Sequence, residues 1–183
     1  MKKTMIMAIL VLATLVSNSQ EFMGIAVDGK LSDAVAKFKE KGFTTSTVSP
    51  SGTVMKGMMG VKEIELVICN TATTKTVWAF KIYLPKKDSW YSLKNEYLEF
   101  LDLLTKKYGE PKSKYDFFTN PYYEGDGYEM SAVANDKCNF ASYWVDKYAV
   151  DISKYKQVRI SYENPVNSEL QEKEKNQTLN NSL

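Results

Sequence analysis

The sequence predicts an α+β domain in which a unit of one helix and about four antiparallel strands occurs twice, building one curved sheet of about eight strands with the helices on one face. Three observations carry this expectation. Apolar spacing is helical in two places about 68 residues apart, and each helix ends at a glycine, in Lys41-Gly42-Phe43 and in Tyr108-Gly109-Glu110. After each of them a strand-like period of two takes over. Each helix carries a single apolar stripe, enough to cover one sheet face and leave the other open.

The elements follow in order. Phe22 to Val27 is short and apolar, and Asp28-Gly29 is a turn that offers Asp28 as a helix cap. Leu31, Ala34, Val35 and Phe38 then recur at helical spacing up to Gly42. Thr44 to Val48, Thr53 to Met59 and Glu63 to Ile68 read as strands, separated by Pro50-Ser51-Gly52 and by Gly60. Val77 to Leu84 closes the first unit, with Trp78, Phe80, Ile82 and Leu84 on one face. A longer helix spans about Tyr91 to Tyr108, its stripe formed by Leu93, Tyr97, Phe100, Leu101, Leu104 and Tyr108, and Pro111 lies just past its end. Strands are expected at about 113–118, 128–134, 139–146 and 157–163, with a break around Asp151. The two repeats thus cover about 22–86 and 87–164 of one domain running from 20 to 164.

The flanks differ in kind. Lys2 and Lys3, the apolar run from Met5 to Val16 and the small residues Ser17-Asn18-Ser19 form a signal peptide over 1–19, so a periplasmic or secreted protein beginning at Gln20 is expected. From Asn164 the chain loses its aromatic residues and becomes rich in Glu, Lys, Asn and Gln, and 165–183 reads as a flexible polar tail.

Composition excludes more than it assigns. Removal of Lys2 and Lys3 leaves acidic and basic residues balanced, and every basic residue but Arg159 is a lysine, so nucleic acid is not an expected partner. No later apolar run is long enough to span a bilayer. With no histidine, His-based triads and imidazole metal sites are out. Cys69 and Cys138 are too few for a cysteine-only zinc site. The repeat puts them at opposite sheet edges, so two free thiols are expected despite an oxidising compartment.

The run Phe22-Met23-Gly24-Ile25-Ala26-Val27-Asp28-Gly29, followed by a helix ending Phe38-Lys39-Glu40-Lys41-Gly42-Phe43, resembles the opening of small exported proteins of unknown function from Gram-negative bacteria. The element order over 22–163 is similar to the β-lactamase-inhibitor-protein-like fold. That resemblance implies two α/β repeats in one curved sheet and a protein-binding role for its open face. It does not extend to lactamase inhibition, since no inhibitory contact residue matches a position here.

The remaining chemistry is sparse. Gly52 to Gly57 has phosphate-loop spacing but Met58 and Met59 in place of the required lysine and hydroxyl. Gly125-Asp126-Gly127 lacks the third glycine of a dinucleotide fingerprint, with Met130 at that position, and reads as a turn. Glu124, Asp126 and Glu129 allow a carboxylate-dependent hydrolase on paper, and Asn120, Glu124 and Asp126 a calcium loop, but acids beside glycines ordinarily form a solvated hairpin. Met55, Met58 and Met59 read as packing rather than as a soft-metal set.

Aromatic density is the strongest positive signal. Tyr115, Phe117, Phe118, Tyr122, Tyr123 and Tyr128 crowd a long connection, and tyrosine offers a large contact area with a polar tip. Tyr83, Tyr143 and Tyr162 extend this patch over the open face if the register holds, and a one-residue slip buries them. The expectation is a non-catalytic exported protein, without cofactor or metal, that holds a protein or peptide through Tyr122, Tyr123, Tyr128, Tyr83, Tyr143 and Tyr162. A pocket for a lipid or glycan is the alternative.

Overall fold

The computed structural model describes residues 20–145 and 147–181; the expected signal peptide over 1–19 lies outside the described residues. The chain opens with a small hairpin, β1 (Glu21–Phe22) and β2 (Ile25–Ala26), turned by Met23 and Gly24 at positive φ. Helix α1 (Leu31–Glu40) leads into β3 (Thr44–Ser49), β4 (Gly52–Met59), β5 (Lys62–Asn70) and β6 (Val77–Tyr83). Helix α2 (Trp90–Tyr108) leads into β7 (Ser113–Phe118), a short helix α3 (Glu129–Ala134), β8 (Cys138–Trp144), β9 (Tyr148–Ser153), β10 (Gln157–Glu163) and α4 (Pro165–Asn180).

All eight long strands form one antiparallel sheet in the order β3-β4-β5-β6-β10-β9-β8-β7. Each repeat is a helix and a four-stranded meander, and the last strands of the two, β6 and β10, pair to join them. The order therefore reads outward from a central seam in the same way in both directions.

Helices α1 and α2 cover one face. Ala34 and Phe38 of α1, and Leu93, Tyr97, Phe100 and Leu104 of α2, are buried against Ile64, Leu66 and Ile68 of β5, Phe80 and Ile82 of β6, and Val150 and Ile160 of the second repeat. Each leucine, isoleucine, valine or phenylalanine among them contributes about 1.5–3 kcal/mol relative to exposure. Ser89 caps α2, its hydroxyl accepting from the Ser92 N–H at 3.2 Å. Gly42 and Gly109 follow the two helices at φ 87° and 82°. Among the described residues no helix is long and apolar enough to cross a membrane.

Several expectations are corrected. The segment expected as a strand at 128–134 is α3: Gly125 and Gly127 at positive φ turn the chain, and Met130 and Val133, three residues apart, both reach the core. The break expected around Asp151 is β9, in which Val150 and Ile152 face the core while Ala149 and Asp151 face away. Trp78 does not share a face with Phe80, Ile82 and Leu84. A register shift at Cys69/Asn70 opposite it turns it toward Lys81, whose Nζ lies 5.2 Å from its ring centre. Asp28 does not cap α1; its carboxylate accepts from the Gly29 N–H and from Asn167. Cys69 on β5 and Cys138 on β8 are free thiols with three strands between them, about 19 Å at the usual strand spacing.

The expected flexible tail over 165–183 is helix α4 for most of its length. Its anchors are polar, so no apolar stripe announced it. Asn164 caps it, Pro165 occupies its first turn, and the buried Asn167 donates to Asp28 Oδ1 at 3.0 Å and to the Val77 carbonyl at 2.8 Å. Near its far end Glu174 accepts from the Thr73 N–H at 2.5 Å, from the Thr74 N–H and from the Thr74 hydroxyl at 2.6 Å, all in the β5–β6 loop.

Candidate functional site

Strand alternation and antiparallel register build a site on the sheet face away from α1 and α2. One cross-strand row runs Tyr143, Ala149, Ser161, Lys81 across β8, β9, β10 and β6. The next runs Ala141, Asp151, Arg159, Tyr83. In the first row two small residues lie between two large ones, so the surface sinks at Ala149 and Ser161 and rises at Tyr143 and Lys81. Lys81 is steadied by Trp78. Helix α4 forms the remaining wall with Ser168, Glu169, Glu172, Lys173 and Asn176. The groove, open to solvent along one side, has a volume of about 760 Å³, within the range of small-molecule sites.

Its floor carries the only arginine of the chain. Arg159 Nε and Nη2 both donate to one oxygen of Asp151, Oδ2, at 3.0 and 2.8 Å. The Asp151 side chain is 9% exposed and that of Arg159 33%, so the carboxylate is covered while the guanidinium reaches the groove. Burial pushes the Asp151 carboxyl above its ordinary value, with the Arg159 charge opposing. Burial works against the Arg159 charge too, and the adjacent carboxylate outweighs it, holding the guanidinium firmly protonated. Desolvation followed by the Asp151 charge likewise lifts the Tyr143 phenol. Around this pair the groove balances Lys81, Lys147 and Lys173 against Glu163, Glu169 and Glu172.

The residues singled out from sequence divide into three groups. Tyr83 and Tyr143 lie on the groove face, Tyr143 as a wall and Tyr83 beside Arg159. Tyr162 does not: it is 7% exposed and packs in the core against Phe22 and Tyr148, because the face-away positions of β10 are Arg159, Ser161 and Glu163. Tyr122, Tyr123 and Tyr128 sit in the β7–α3 connection, which is tied to the helix-covered side by Glu124, whose carboxylate accepts from Trp90 Nε1 at 3.2 Å and from Lys94 at the start of α2. Tyr123 and Tyr128 are each 65% exposed, so the loop presents aromatic surface, but away from the groove. Phe118 packs against Trp90 and Phe140, whereas Phe117 stays exposed and, with Tyr115 and Tyr143, forms an aromatic row at the β7 edge.

The acids of that loop are committed to its shape. The Lys94 hydrogen bond first, then Trp90, hold the Glu124 carboxyl below its usual range against slight desolvation. Asp126 accepts from the Tyr123 and Tyr128 N–H groups, and Glu129 from the Gly125 N–H. Among the described residues no three His, Cys, Asp or Glu side chains are grouped to hold a metal. Met55 and Met59 pack in the core while Met58 is exposed, so the three thioethers do not converge.

Sequence reasoning put none of Lys81, Ala149, Asp151, Arg159 and Ser161 in a site: Arg159 stood out only as the single arginine and Asp151 only as a break between strands. A signal for them existed: Asp151 and Arg159 each stand between apolar residues, Val150 and Ile152, Val158 and Ile160, at the phase that leaves the core. No protein-family model, curated protein sequence or solved structure matches the chain.

Proposed function

We propose that the chain is an exported, non-catalytic binding protein, periplasmic or secreted, that holds a peptide in the groove between the open sheet face and α4. The observation that carries this reading is the hollow itself, a row of small residues sunk between Tyr143 and Lys81 and walled by a helix. A peptide suits it for two reasons. Small side chains at Ala149 and Ser161 let a backbone approach the sheet, and balanced charge around the rim complements a chain that carries both signs. The similarity of the element order to the β-lactamase-inhibitor-protein-like fold adds a protein-binding role for the corresponding face.

The lipid or glycan reading shares the volume in its favour. Charged side chains on every wall disfavour a lipid chain, and the exposed aromatic row Tyr115, Phe117, Tyr143 favours a glycan only at the rim. The test is a ¹⁵N-resolved titration with a mixture of short peptides. Amide shifts at Ala149 and Ser161, lost in the Ala149→Leu/Ser161→Leu variant that fills the floor, are expected. Shifts confined to Tyr122, Tyr123 and Tyr128 would move the binding surface to the loop and refute the groove.

A further inference from the structure

The groove has a chemical polarity that bears on which part of a peptide it takes. Arg159 gives Asp151 only its Nε and Nη2, both on the single oxygen Oδ2, and has Tyr83 as a further hydrogen-bond partner, while a third of its side chain stays exposed at the groove. This is a costly arrangement for packing alone: a buried ion pair seldom stabilises more than apolar residues of the same volume. Every other cation in the chain is a lysine. A planar fork in the floor is what a carboxylate requires, because two parallel N–H bonds fix both its position and its orientation.

We infer that Arg159, backed by Lys81, is the anchor for the terminal carboxylate of a bound peptide, whose preceding residues lie over Ala149 and Ser161 with any cationic group toward Glu169 and Glu172 of α4. This rests on the reading of the groove as a peptide site. Charge decides the class of anion. Asp151, Glu163, Glu169 and Glu172 balance Arg159, Lys81, Lys147 and Lys173, so the groove has no surplus positive charge for a phosphate dianion, and a carboxylate monoanion asks less of it. The small side chains at Ala149 and Ser161 leave room for the peptide unit behind that carboxylate.

The experiment compares three sets of acetylated tripeptides on the same protein by ¹⁵N-resolved titration. One set has uncharged side chains and a free C-terminus, the second is its C-terminal amide, and the third is an amide with a central glutamate. The free-carboxylate set is expected to shift Ala149, Ser161 and the Arg159 Nε–Hε signal, and to bind about tenfold more tightly than the plain amides, the usual worth of a charge-assisted hydrogen bond. Exchanging both floor charges, Arg159→Gln with Asp151→Asn, leaves no ion unpaired and should erase that difference. If the plain amides bind the groove as tightly as the free acids, the carboxylate anchor is overturned and the peptide site stands. If the glutamate amides match the free acids, the anchor takes a side-chain carboxylate and the terminal assignment is overturned. If no set shifts the groove signals, the peptide reading and the anchor fail together.

Discussion

Glu174→Ala tests whether the groove wall is held as the structure indicates. Its carboxylate gathers the Thr73 N–H, the Thr74 N–H and the Thr74 hydroxyl, three donors a hundred residues earlier in the chain. Hydrogen bonds to an ionised acceptor are worth about 1.5–3 kcal/mol each when well buried, and here Glu174 is buried but Thr73 and Thr74 are exposed, so about 3 kcal/mol for the set is a fair figure. What remains to hold α4 is small. Val166 and Leu179 are exposed and Leu170 is half-buried, and the other anchors lie at the start of the helix, where Asn167 supplies two hydrogen bonds, about 2 kcal/mol together, and the capping Asn164 bonds the Trp78 and Val27 carbonyls. An undocked helix of 16 residues with this composition is marginal in water. Glu174→Ala should therefore release and fray the C-terminal half of α4 while the sheet, whose core α4 does not enter, keeps its melting temperature within about 2 °C. Amide hydrogen exchange reads this directly, as lost protection over about 172–180 and unchanged protection in β6 and β10. Full protection of α4 in a folded Glu174→Ala protein would refute the anchoring argument, and with it the claim that a polar hook positions the wall.

Three further outcomes are expected. Desolvation opposes ionisation of Glu174, but the Thr74 and Thr73 hydrogen bonds outweigh it and hold its carboxyl below the ordinary 4.5, so α4 docking is fully present above that pH and is lost as the pH falls through the lower docked value; exchange protection of α4 followed from pH 6 to 3 checks this. Gly57→Ala should destabilise the domain by about 1–3 kcal/mol in chemical denaturation although it removes a strand glycine, because the new methyl meets the buried Phe43 ring at 2.5 Å; unchanged stability would mean that the ring can shift freely. Burial pushes the Cys138 thiol up to about 12 and raises Cys69 as well, so both should react slowly with a thiol reagent at pH 8 in the native protein and both react on unfolding, whereas a mass lower by two hydrogens would reveal a disulfide that the sheet order forbids.

What could be read from the sequence depended on whether a segment is held by apolar periodicity. The repeats were legible because α1 and α2 each put one greasy stripe on the sheet and the strands alternate beneath them. Strand β9 was not, since Asp151 falls where an apolar-rich strand should continue, and it is tolerated there only because Arg159 lies opposite it on β10. Helix α3 was misread because Met130 to Val133 is too short to separate a period of two from one of 3.6. Helix α4 has no stripe at all: Asn167 and Glu174 dock it by hydrogen bonds to partners about 90 and 100 residues away, and no local window contains them. Among the tyrosines, the observed register puts Tyr83 and Tyr143 on the face away from α1 and α2, and the same parity buries Tyr162, which stands one residue out of phase with Ser161. The loop tyrosines were visible as a cluster, but the direction of their loop is set by Glu124 meeting Trp90 and Lys94, a contact across 30 residues and more.

The position of the groove follows from where the duplication is imperfect. The seam between the repeats is the β6–β10 pair, and the groove uses both sides of it, Lys81 from the first repeat, Arg159 and Ser161 from the second. Neither repeat alone contains the site. An exact two-fold arrangement would put the same features on both flanks of the seam, yet β5 presents Val67 and Glu65 in the rows where β9 presents Ala149 and Asp151. The second asymmetry is at the strand ends. β6 runs on through Leu84 and Pro85 to α2, whereas β10 is followed by Asn164-Pro165, which starts a helix at once. That helix reaches back to the β5–β6 loop of the other repeat, so it spans the seam and walls one flank only. The fold thus arises from the similarity of the two halves and the groove from their differences. Substitutions at Ala149, Ser161 or Glu174, and the joint exchange of Arg159 and Asp151, should therefore change binding at little cost to the helix-covered core, while the buried face of α2 governs stability without touching the site.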